Sequence, residues 1–431
     1  MNVATERSTH SSMRPQRALR IGIVSQFYAP EPGPAQLPAN LAEGLAARGH
    51  SVRVVTGFPN YPTGTVMPGY RLTRRMDEVR HGVDVRRVYL HPDHGSALGR
   101  ITNYGSFALS AIGNGLGHLR HADVIWVNAS PITLAWPIWA LKAHRVPVVS
   151  HILDLWPESL YASGFASMAD HRAASRLLEG WTSSIYRASD HVAYIAPGVR
   201  DLLLSRGVPE AKLHHIPMWA DEATFHPGGV SVRTDLGISP DAVVLLYAGA
   251  LGEAQGLEAL VDACALVDDP RFVCVIAGSG SSESALRSRA AGMNQVRFIG
   301  RVSQDAMTDL LASADASFVS LRDTPLGRVS IPSKTQAALA SGTPVVVAAT
   351  GDVRELVDAR GLGWTADPGS PQDIARAIGL LLSTSTAERA SMGEHARSVY
   401  ESDFSLERAI GRLETLLRSA ATQTPQIGAP S

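Results

Sequence analysis

The sequence predicts two α/β domains, each with a doubly wound parallel sheet, that face each other across a cleft. Two series of short apolar runs alternate with longer helical segments, a pattern typical of parallel strands joined by helical crossovers. A stretch dense in Pro, Gly and polar residues, 218–240, separates the two series. The length of 431 residues also exceeds what one hydrophobic core usually supports. Because ligands bind beyond the carboxyl ends of such strands, we expect the site in the cleft between the domains.

The first series predicts a domain over 19–217. Its first helix, 37–48, carries three leucines spaced four residues apart on one face, and Gly49 supplies a left-handed stop. Its strands are predicted at 19–26, 52–56, 85–89, 123–127, 147–153 and 190–195.

The second series predicts a domain over 241–400, followed by a last helix over 401–420. Its strands are predicted at 241–250, 272–280, 296–300, 316–321, 343–349 and 362–366. The polar end segments, 1–18 and 421–431, are predicted to be disordered because they offer too little apolar surface to bury.

The composition excludes several classes of protein. A net charge of −1 provides no field that would attract nucleic acid. Two cysteines predict neither a disulfide framework nor a zinc site, and they favour reduced thiols in an intracellular protein. Residues 1–18 lack the apolar core of a signal peptide. Two stretches without acidic or basic side chains apart from one histidine, 101–119 and 124–141, are interrupted by glycines, prolines and polar residues, so a membrane-facing patch is favoured over a spanning helix.

Two loops that follow strands of the first domain are candidate binding loops. The loop 26–36 is rich in proline, and a glycine in it would let backbone amides approach a phosphate or a sugar; a rigid turn without a ligand is the alternative. The loop 56–70 has no helical or strand pattern, and loops of that length are often functional, with a simple surface excursion as the alternative. The candidate residues in these loops are Glu31, Gly33, Asn60 and Tyr61.

A third candidate group, Asp154, Trp156 and Glu158, follows the strand 147–153. A carboxylate accepts hydrogen bonds from sugar hydroxyls and an indole stacks on the apolar face of a sugar ring. The alternative is that Asp154 caps the next helix.

Glycine-rich loops follow the first two strands of the second domain. In 247–260 the loop leads into a helix whose amino end favours an anion. The shorter Gly-Ser loop in 277–284 suits a ribose or a phosphate, and an ordinary turn is the alternative. The candidate residues are Gly249, Gln255, Gly256, Gly278 and Gly280.

The strongest local signal is the helix start around Lys334. Ser333 and Gln336 form a capping-box pattern that predicts a helix over 334–341. Lys334 and Arg328 place two cations near a helix end that already favours anions, so they do not serve helix stability. They suit a diphosphate, and exposed solubilising charges are the alternative.

Another helix start carries two carboxylates, Asp352 and Glu355, which could hold ribose or sugar hydroxyls; ordinary acidity of a first helical turn is the alternative. No Asp-x-Asp pair and no metal-ligand spacing appears, so we expect no metal, and cations with helix ends would partner a phosphate. The following histidines are expected to be surface or hydrogen-bonded side chains: His91, His94, His144, His214 and His215.

Several motifs resemble those of the family 4 glycosyltransferases. The specific strings are TGFPNYP, DLWPES and IPSKTQAALASGTPVV, and the likeness spans roughly 19–400. It is nearest to the branch with colanic-acid and O-antigen enzymes, similar to N-acetylfucosaminyltransferases.

The resemblance implies two Rossmann-like domains in the GT-B arrangement, with the last helix crossing back to the first domain. It implies a retaining, metal-independent transfer from a nucleoside-diphosphate sugar to a glycan or polyprenyl-linked acceptor in cell-surface polysaccharide synthesis. A UDP sugar is the expected donor, with an N-acetylated deoxysugar as one candidate. The expected location is the cytoplasm, with peripheral contact at the inner face of the plasma membrane, and no nucleic acid partner.

The chain departs from the family at the usual donor contacts. An arginine and a lysine of the family are Ala250 and Gln255 here, and a family glutamate is Ala337. The residues assigned to the chemistry are therefore Lys334, Arg328 and Asp154. The two cations would stabilise the departing phosphate, and the carboxylate would position the acceptor or act as an auxiliary base.

Two alternatives stay open. A nucleotide-sugar epimerase can share the same fold and needs no acceptor. A catalytically silent nucleotide-sugar-binding partner of another transferase is favoured by the missing donor contacts.

Overall fold

The computed structural model describes residues 17–159 and 172–423. The end segments that the sequence predicts to be disordered, 1–18 and 421–431, lie almost wholly outside the described residues. Within the described residues the predicted fold class is confirmed, because two parallel-sheet α/β units follow one another along the chain.

The first domain is a sheet covered by helices on both faces. Its strands are β1 (Arg20–Val24), β2 (Ser51–Gly57), β3 (Arg75–Arg80), β4 (Val83–Val88), β5 (Val124–Asn128), β6 (Val148–Ile152), β7 (His191–Tyr194) and β8 (Leu213–His215). Its helices are α1 (Leu37–Ala47), α2 (Ala97–Ser110), α3 (Ala135–Ala143), α4 (Arg172–Ala188) and α5 (Pro197–Ser205). The strand order is β3-β4-β2-β1-β5-β6-β7-β8. Strands β5, β6 and β7 are buried along their whole length, as expected for a parallel sheet with helices on both sides.

The second domain repeats this architecture with a parallel sheet. Its strands are β9 (Val243–Ala248), β10 (Phe272–Ala277), β11 (Val296–Gly300), β12 (Ala316–Ser320), β13 (Val345–Ala348) and β14 (Gly363–Ala366). The remaining helices are α6 (Glu258–Ala265), α7 (Glu283–Arg289), α8 (Met307–Ala312), α9 (Pro325–Arg328), α10 (Ser333–Ala340), α11 (Asp352–Arg360), α12 (Pro371–Ser383), α13 (Thr386–Val399) and α14 (Leu406–Gln423). The order β11-β10-β9-β12-β13-β14 reverses direction between β9 and β12, which opens a crevice at the carboxyl ends of those strands.

The sequence did not predict β3, the antiparallel edge strand of the first sheet. It pairs with β4 through a tight turn in which His81 and Gly82 have φ values of 45° and 80°. Two successive positive φ values are typical of a hairpin turn. The strand RMDEVR contains no apolar run, so its pairing could not be read from hydrophobicity.

The chain crosses between the two domains twice, and the two crossings are hydrogen-bonded to each other. The N–H of Ala220, in the linker, donates to the hydroxyl of Tyr400 at 3.1 Å. That hydroxyl donates to Glu222 at 2.8 Å, and the N–H of Leu406 donates to the same carboxylate oxygen at 2.8 Å. These four residues form a clasp that fixes the linker to the start of α14.

Helix α14 packs on α1 of the first domain. A Cβ added to Gly44 would lie 2.2 Å from Cδ1 of Ile410, so the two helices approach closely because that position is glycine. At the end of α1, Arg48 forms a 2.9 Å ion pair with Glu414.

Candidate active site

The side chain of Lys334 lies at the carboxyl end of β9. Its Nζ is 5.1 Å from the ring centroid of Tyr247, and a Cβ added to Gly249 would be 2.4 Å from the Cε of the lysine. No carboxylate among the described residues forms an ion pair with Lys334, and burial lowers the pKa of its ammonium group. The lysine therefore offers an unpaired, partly desolvated cation to an anionic ligand.

Helix α10, which carries this lysine, begins at Ser333, one residue before the predicted 334–341. The predicted capping box is wrong, because Pro332 is the N-cap and Ser333 already belongs to the helix. The N-cap residue makes no side-chain cap hydrogen bond, so no side chain of that residue neutralises the positive end of the helix dipole beside the lysine.

A cavity of about 220 Å³ lies between the two domains and contains this lysine in its wall. Most of its wall is apolar. It is lined by Gly33 and Leu37 of the first domain, Trp219 and Phe225 of the linker, and Met307, Leu311, Lys334 and Ala337 of the second domain. The alanine in place of the family glutamate therefore forms part of an apolar wall next to the cation.

An adjoining cavity of about 320 Å³ lies at the carboxyl ends of β9, β10 and β11. Gly278 has a φ of 144°, and a Cβ there would be 1.8 Å from the carbonyl oxygen of Gly249. Only glycine allows this approach of the two loops. A Cβ added to Gly280 would likewise lie only 2.4 Å from the carbonyl oxygen of Leu251.

Arg301 lines this second cavity, and sequence reasoning missed it. Its guanidinium is exposed and has no carboxylate partner among residues 17–159 and 172–423. It follows β11 without any motif around it, so only its position at the carboxyl end of a strand could have marked it.

Gln255 and Gly256 do not line the cavity that contains Lys334. Gln255 accepts the N–H of Gly252 at 3.1 Å, and Gly256 ends that turn with a φ of 59°. Both line a separate groove beside Arg322. The expectation that they contact the donor together with Lys334 is therefore not supported by the geometry.

Arg328 is already neutralised by a carboxylate. Its Nε and Nη2 donate to the two oxygens of Asp323 at 2.6 and 2.9 Å. The pKa of Asp323 falls to about 2, mainly because of this hydrogen-bonded pair. Arg328 is largely exposed and does not line the cavity of Lys334, so the structure does not leave it free as expected.

Asp352 makes a contact between the domains instead of facing open space. Its Oδ2 accepts the N–H of Gly198 at 2.7 Å, at the start of α5. The carboxylate is buried, and burial raises its pKa. Glu355, one turn further along α11, is exposed. The expected role in holding ribose fits the exposed Glu355 better than the occupied Asp352.

Glu31 stabilises the loops of the first domain instead of facing an acceptor. It is 1% exposed and accepts the N–H groups of Asn60 and Tyr61 at 2.8 Å and that of Tyr28 at 3.0 Å. Asn60 is buried as well, and its Oδ1 accepts from Asn103 at 3.1 Å. Direct binding of an acceptor by Glu31 and Asn60 therefore stays a prediction, and in this structure both side chains are buried and hydrogen-bonded within the loops.

Tyr61 belongs to a cluster of rings at the carboxyl edge of the first sheet. Its ring centroid is 5.5 Å from that of Phe27 and 6.1 Å from that of His94, which is 6.5 Å from Tyr104. The Nε2 atom of His94 is buried and has no hydrogen-bond partner among the described residues, contrary to the expectation of a surface or satisfied histidine. Burial lowers the pKa of His94, so its ring is neutral at pH 7 and can accept or donate a hydrogen bond. The four rings of this cluster come from segments that are separated in the sequence, so no single sequence motif indicated the cluster.

Of the remaining candidates, Asp154 is exposed and accepts a hydrogen bond from the hydroxyl of Ser130. Glu158 is paired with Arg206, which also donates to the carbonyl of Trp156 at 2.9 Å. Asp154 therefore stays open to a ligand, whereas Glu158 is neutralised.

No group of three or more His, Cys, Asp or Glu side chains in the described parts of the chain could hold a metal ion. Metal independence remains a prediction. In the same parts, every helix is too short or too polar to cross a membrane.

Comparison with known proteins decides the family. Residues 33–219 match the model of the "Glycosyl transferase 4-like domain", and residues 231–399 match that of "Glycosyl transferases group 1". The chain is a GT-B glycosyltransferase of family 4. The two matches meet at the linker between the two sheets, so each domain of this glycosyltransferase has its own model.

Several named proteins are similar to this glycosyltransferase. WcaI of Escherichia coli (strain K12), which bears the name of a colanic acid biosynthesis glycosyl transferase, is 28% identical over 340 residues, or 77% of this chain and 83% of WcaI. The D-inositol 3-phosphate glycosyltransferase of Geodermatophilus obscurus is 27% identical over 80% of this chain and 78% of its own. Anabaena HepE, solved with UDP and glucose, has a TM-score of 0.66 and 19% identity and covers 93% of this chain and 100% of its own. The last likeness shows the fold.

Proposed function

We propose that this glycosyltransferase moves a sugar, with retention of configuration, from a UDP-linked donor to a glycan or polyprenyl-linked acceptor of cell-surface polysaccharide synthesis. The donor diphosphate binds at Lys334, and the acceptor binds at the ring cluster and Asp154. The names of similar proteins support this direction: WcaI is named for colanic acid biosynthesis, and HepE was solved with UDP and glucose. In this proposal the sugar transfer takes place on the cytoplasmic side of the membrane and needs no metal ion.

The observation that carries the proposal is the unpaired ammonium group of Lys334 at an uncapped helix start beside the inter-domain cavity. A departing diphosphate would there meet a cation and a helix dipole in a partly water-excluded site, where such charge stabilisation is strong. Lys334 thereby replaces the loop cations of the family, whose positions are Ala250 and Gln255.

The reaction follows as a front-face substitution. The bond between the anomeric carbon and the phosphate oxygen breaks while the acceptor oxygen forms its bond on the same face. The acceptor proton passes to the departing phosphate oxygen, and Lys334 stabilises the charge that develops there. The sequence shows no carboxylate pair that would suggest a double displacement, which favours the single step. Asp154 orients the acceptor hydroxyl.

The test is product analysis with purified protein and a panel of nucleotide sugars. Nucleotide release that depends on added acceptor, with the anomeric configuration of donor and product equal by NMR, supports the proposal. A changed free nucleotide sugar without acceptor would identify an epimerase. Tight UDP binding without turnover on any polyprenyl-linked or glycan acceptor would identify a silent binding partner.

A further inference from the structure

An apolar stripe runs along the outer face of α2 and continues into the helical segment Ala111–Gly115 that follows it. Leu98, Ile101, Leu109 and Ile112 are 70%, 60%, 60% and 37% exposed. Their spacing places them on one side of the helix. Gly105 lies between them on the same side, with open space where a side chain would be. A row of exposed aliphatic side chains on one helix is unusual unless something covers it.

The charges around this stripe are basic. Residues 94–122 contain no aspartate or glutamate, and they include Arg100 and Arg120. The carboxylate of Asp93 lies against Gly99 at the start of α2, so the basic side chains flank the stripe beyond that first turn. The exposed Arg74 donates its Nε to the side-chain oxygen of Asn114 at 2.8 Å, which places a further guanidinium beside the end of the helical segment. An apolar face flanked by arginines is complementary to a surface of anionic lipid headgroups.

Helix α3, which packs next to α2, adds indole rings. Trp139 is 37% exposed, and its ring centroid is 5.2 Å from that of Trp181 on α4. The ring of Trp136 lies edge to face against the same Trp181 ring, with the centroids 5.9 Å apart. Indoles are enriched at the boundary between membrane and water, where one end of the ring is apolar and the other is polar.

We propose that this face docks on the surface of a bilayer that contains anionic lipid. The docking face is Leu98, Ile101, Leu109, Ile112 and Trp139. Helix α2 carries Tyr104 in the ring cluster at the candidate acceptor site, so the docking face and that site are on one helix. The functional importance of this placement rests on the proposed function. A polyprenyl-linked acceptor in the bilayer would reach the site without leaving the membrane.

The experiment is co-sedimentation of the full chain with vesicles of phosphatidylcholine alone and with about 30 mol% phosphatidylglycerol. Wild-type protein should bind the anionic vesicles, less so at high salt, because screening weakens the arginine contacts. The variant L98E/I101E/L109E should lose binding by about tenfold or more, since it places three charges in the apolar face. The matched control V230E/L266E/L380E changes three exposed aliphatic residues of the linker and the second domain and should bind like wild type.

Several outcomes would overturn the proposal. One is that the wild-type protein does not bind anionic vesicles. Another is that the variant L98E/I101E/L109E binds these vesicles as well as the wild-type protein does. A concentration-dependent dimer that the stripe variant dissociates, without vesicle binding, would assign the face to a second copy. UDP binding measured without vesicles tests the donor assignment separately, and equal melting temperatures of the two variants show that both are folded.

Discussion

The ammonium group of Lys334 lies over the ring of Tyr247, and the hydroxyl of the same tyrosine donates to the carbonyl oxygen of Ala250 at 2.5 Å. Tyr247 therefore connects the lysine of α10 to the loop position at which the family has an arginine. The cation reaches the end of β9 from a helix start instead of from the loop. The positive charge that the loop after β9 lacks is thus supplied by Lys334 of α10 at the carboxyl end of the same strand.

Replacing Lys334 with alanine should lower turnover by at least about tenfold, or about 1.4 kcal/mol of barrier, because the departing diphosphate loses its cation. Lys334→Arg keeps the charge and should retain more activity than alanine. The measurement is acceptor-dependent nucleotide release. Arg328→Ala is the matched control, since Asp323 already neutralises that guanidinium. A larger loss for Arg328→Ala than for Lys334→Ala would contradict the assignment.

Nucleotide affinity should depend on pH through Lys334. Burial lowers the pKa of its amine, so in the free protein the charge is lost as pH rises through a value below the ordinary 10.5. The neutral amine no longer attracts the diphosphate, so UDP binding should weaken over that range and be stronger at lower pH. Titration calorimetry between about pH 7 and about pH 10 would measure it. Lys334→Arg keeps its charge and should flatten the profile; an unchanged profile would point to another group.

His94→Ala should raise the KM for the acceptor while leaving the dissociation constant of UDP unchanged. The reason is that the buried Nε2 of His94 has no partner among the described residues and lies in the ring cluster of the first domain. Steady-state kinetics with varied acceptor, beside UDP titration, would separate the two effects. His91→Ala, at an exposed position three residues before, serves as control. Equal effects of both variants would remove His94 from the acceptor site.

Glu31→Ala should lower the free energy of unfolding by about 2–4 kcal/mol, because three buried N–H groups would lose their acceptor. Glu31→Gln should cost less, since the amide oxygen still accepts. Denaturant titration measures both. Glu394→Ala, at an exposed helical position, should change stability by less than about 0.5 kcal/mol. A Glu31→Ala variant as stable as Glu394→Ala would mean that the loop does not depend on this carboxylate.

Gly278→Ala should lower stability and UDP affinity by more than the strain of a positive φ alone, because it affects the contact between the loops that carry Gly249 and Gly278. Its Cβ would clash with the carbonyl oxygen of Gly249, whereas Gly292 has a φ of 82° and open space around it. Gly292→Ala should therefore cost only about 1–2 kcal/mol, the usual strain of a left-handed residue. Thermal unfolding and UDP titration of both variants give the comparison. Similar losses in the two would show that the loops can separate without penalty.

The positions of the parallel strands were predictable, because buried strands such as β5 are continuous apolar runs bounded by turns. Contacts between distant loops were not. Arg328 looked free because its sequence position says nothing about the turn that brings Asp323 to its guanidinium. Glu31 looked like a ligand because a carboxylate after a strand can face either a cleft or its own loop. Lys334 could be found because a cation at a helix start has no stabilising role there.

The clasp of Ala220, Tyr400, Glu222 and Leu406 has a mechanical consequence. Since both covalent connections between the lobes pass through this one spot, any relative motion of the lobes must pivot there. Rotation about this clasp would keep its hydrogen bonds, whereas sliding of one lobe along the other would break them; opening of the cleft would also have to break the bond between Asp352 and Gly198. Donor entry and product exit would then share a single direction of movement, set by the position of the clasp at the start of α14.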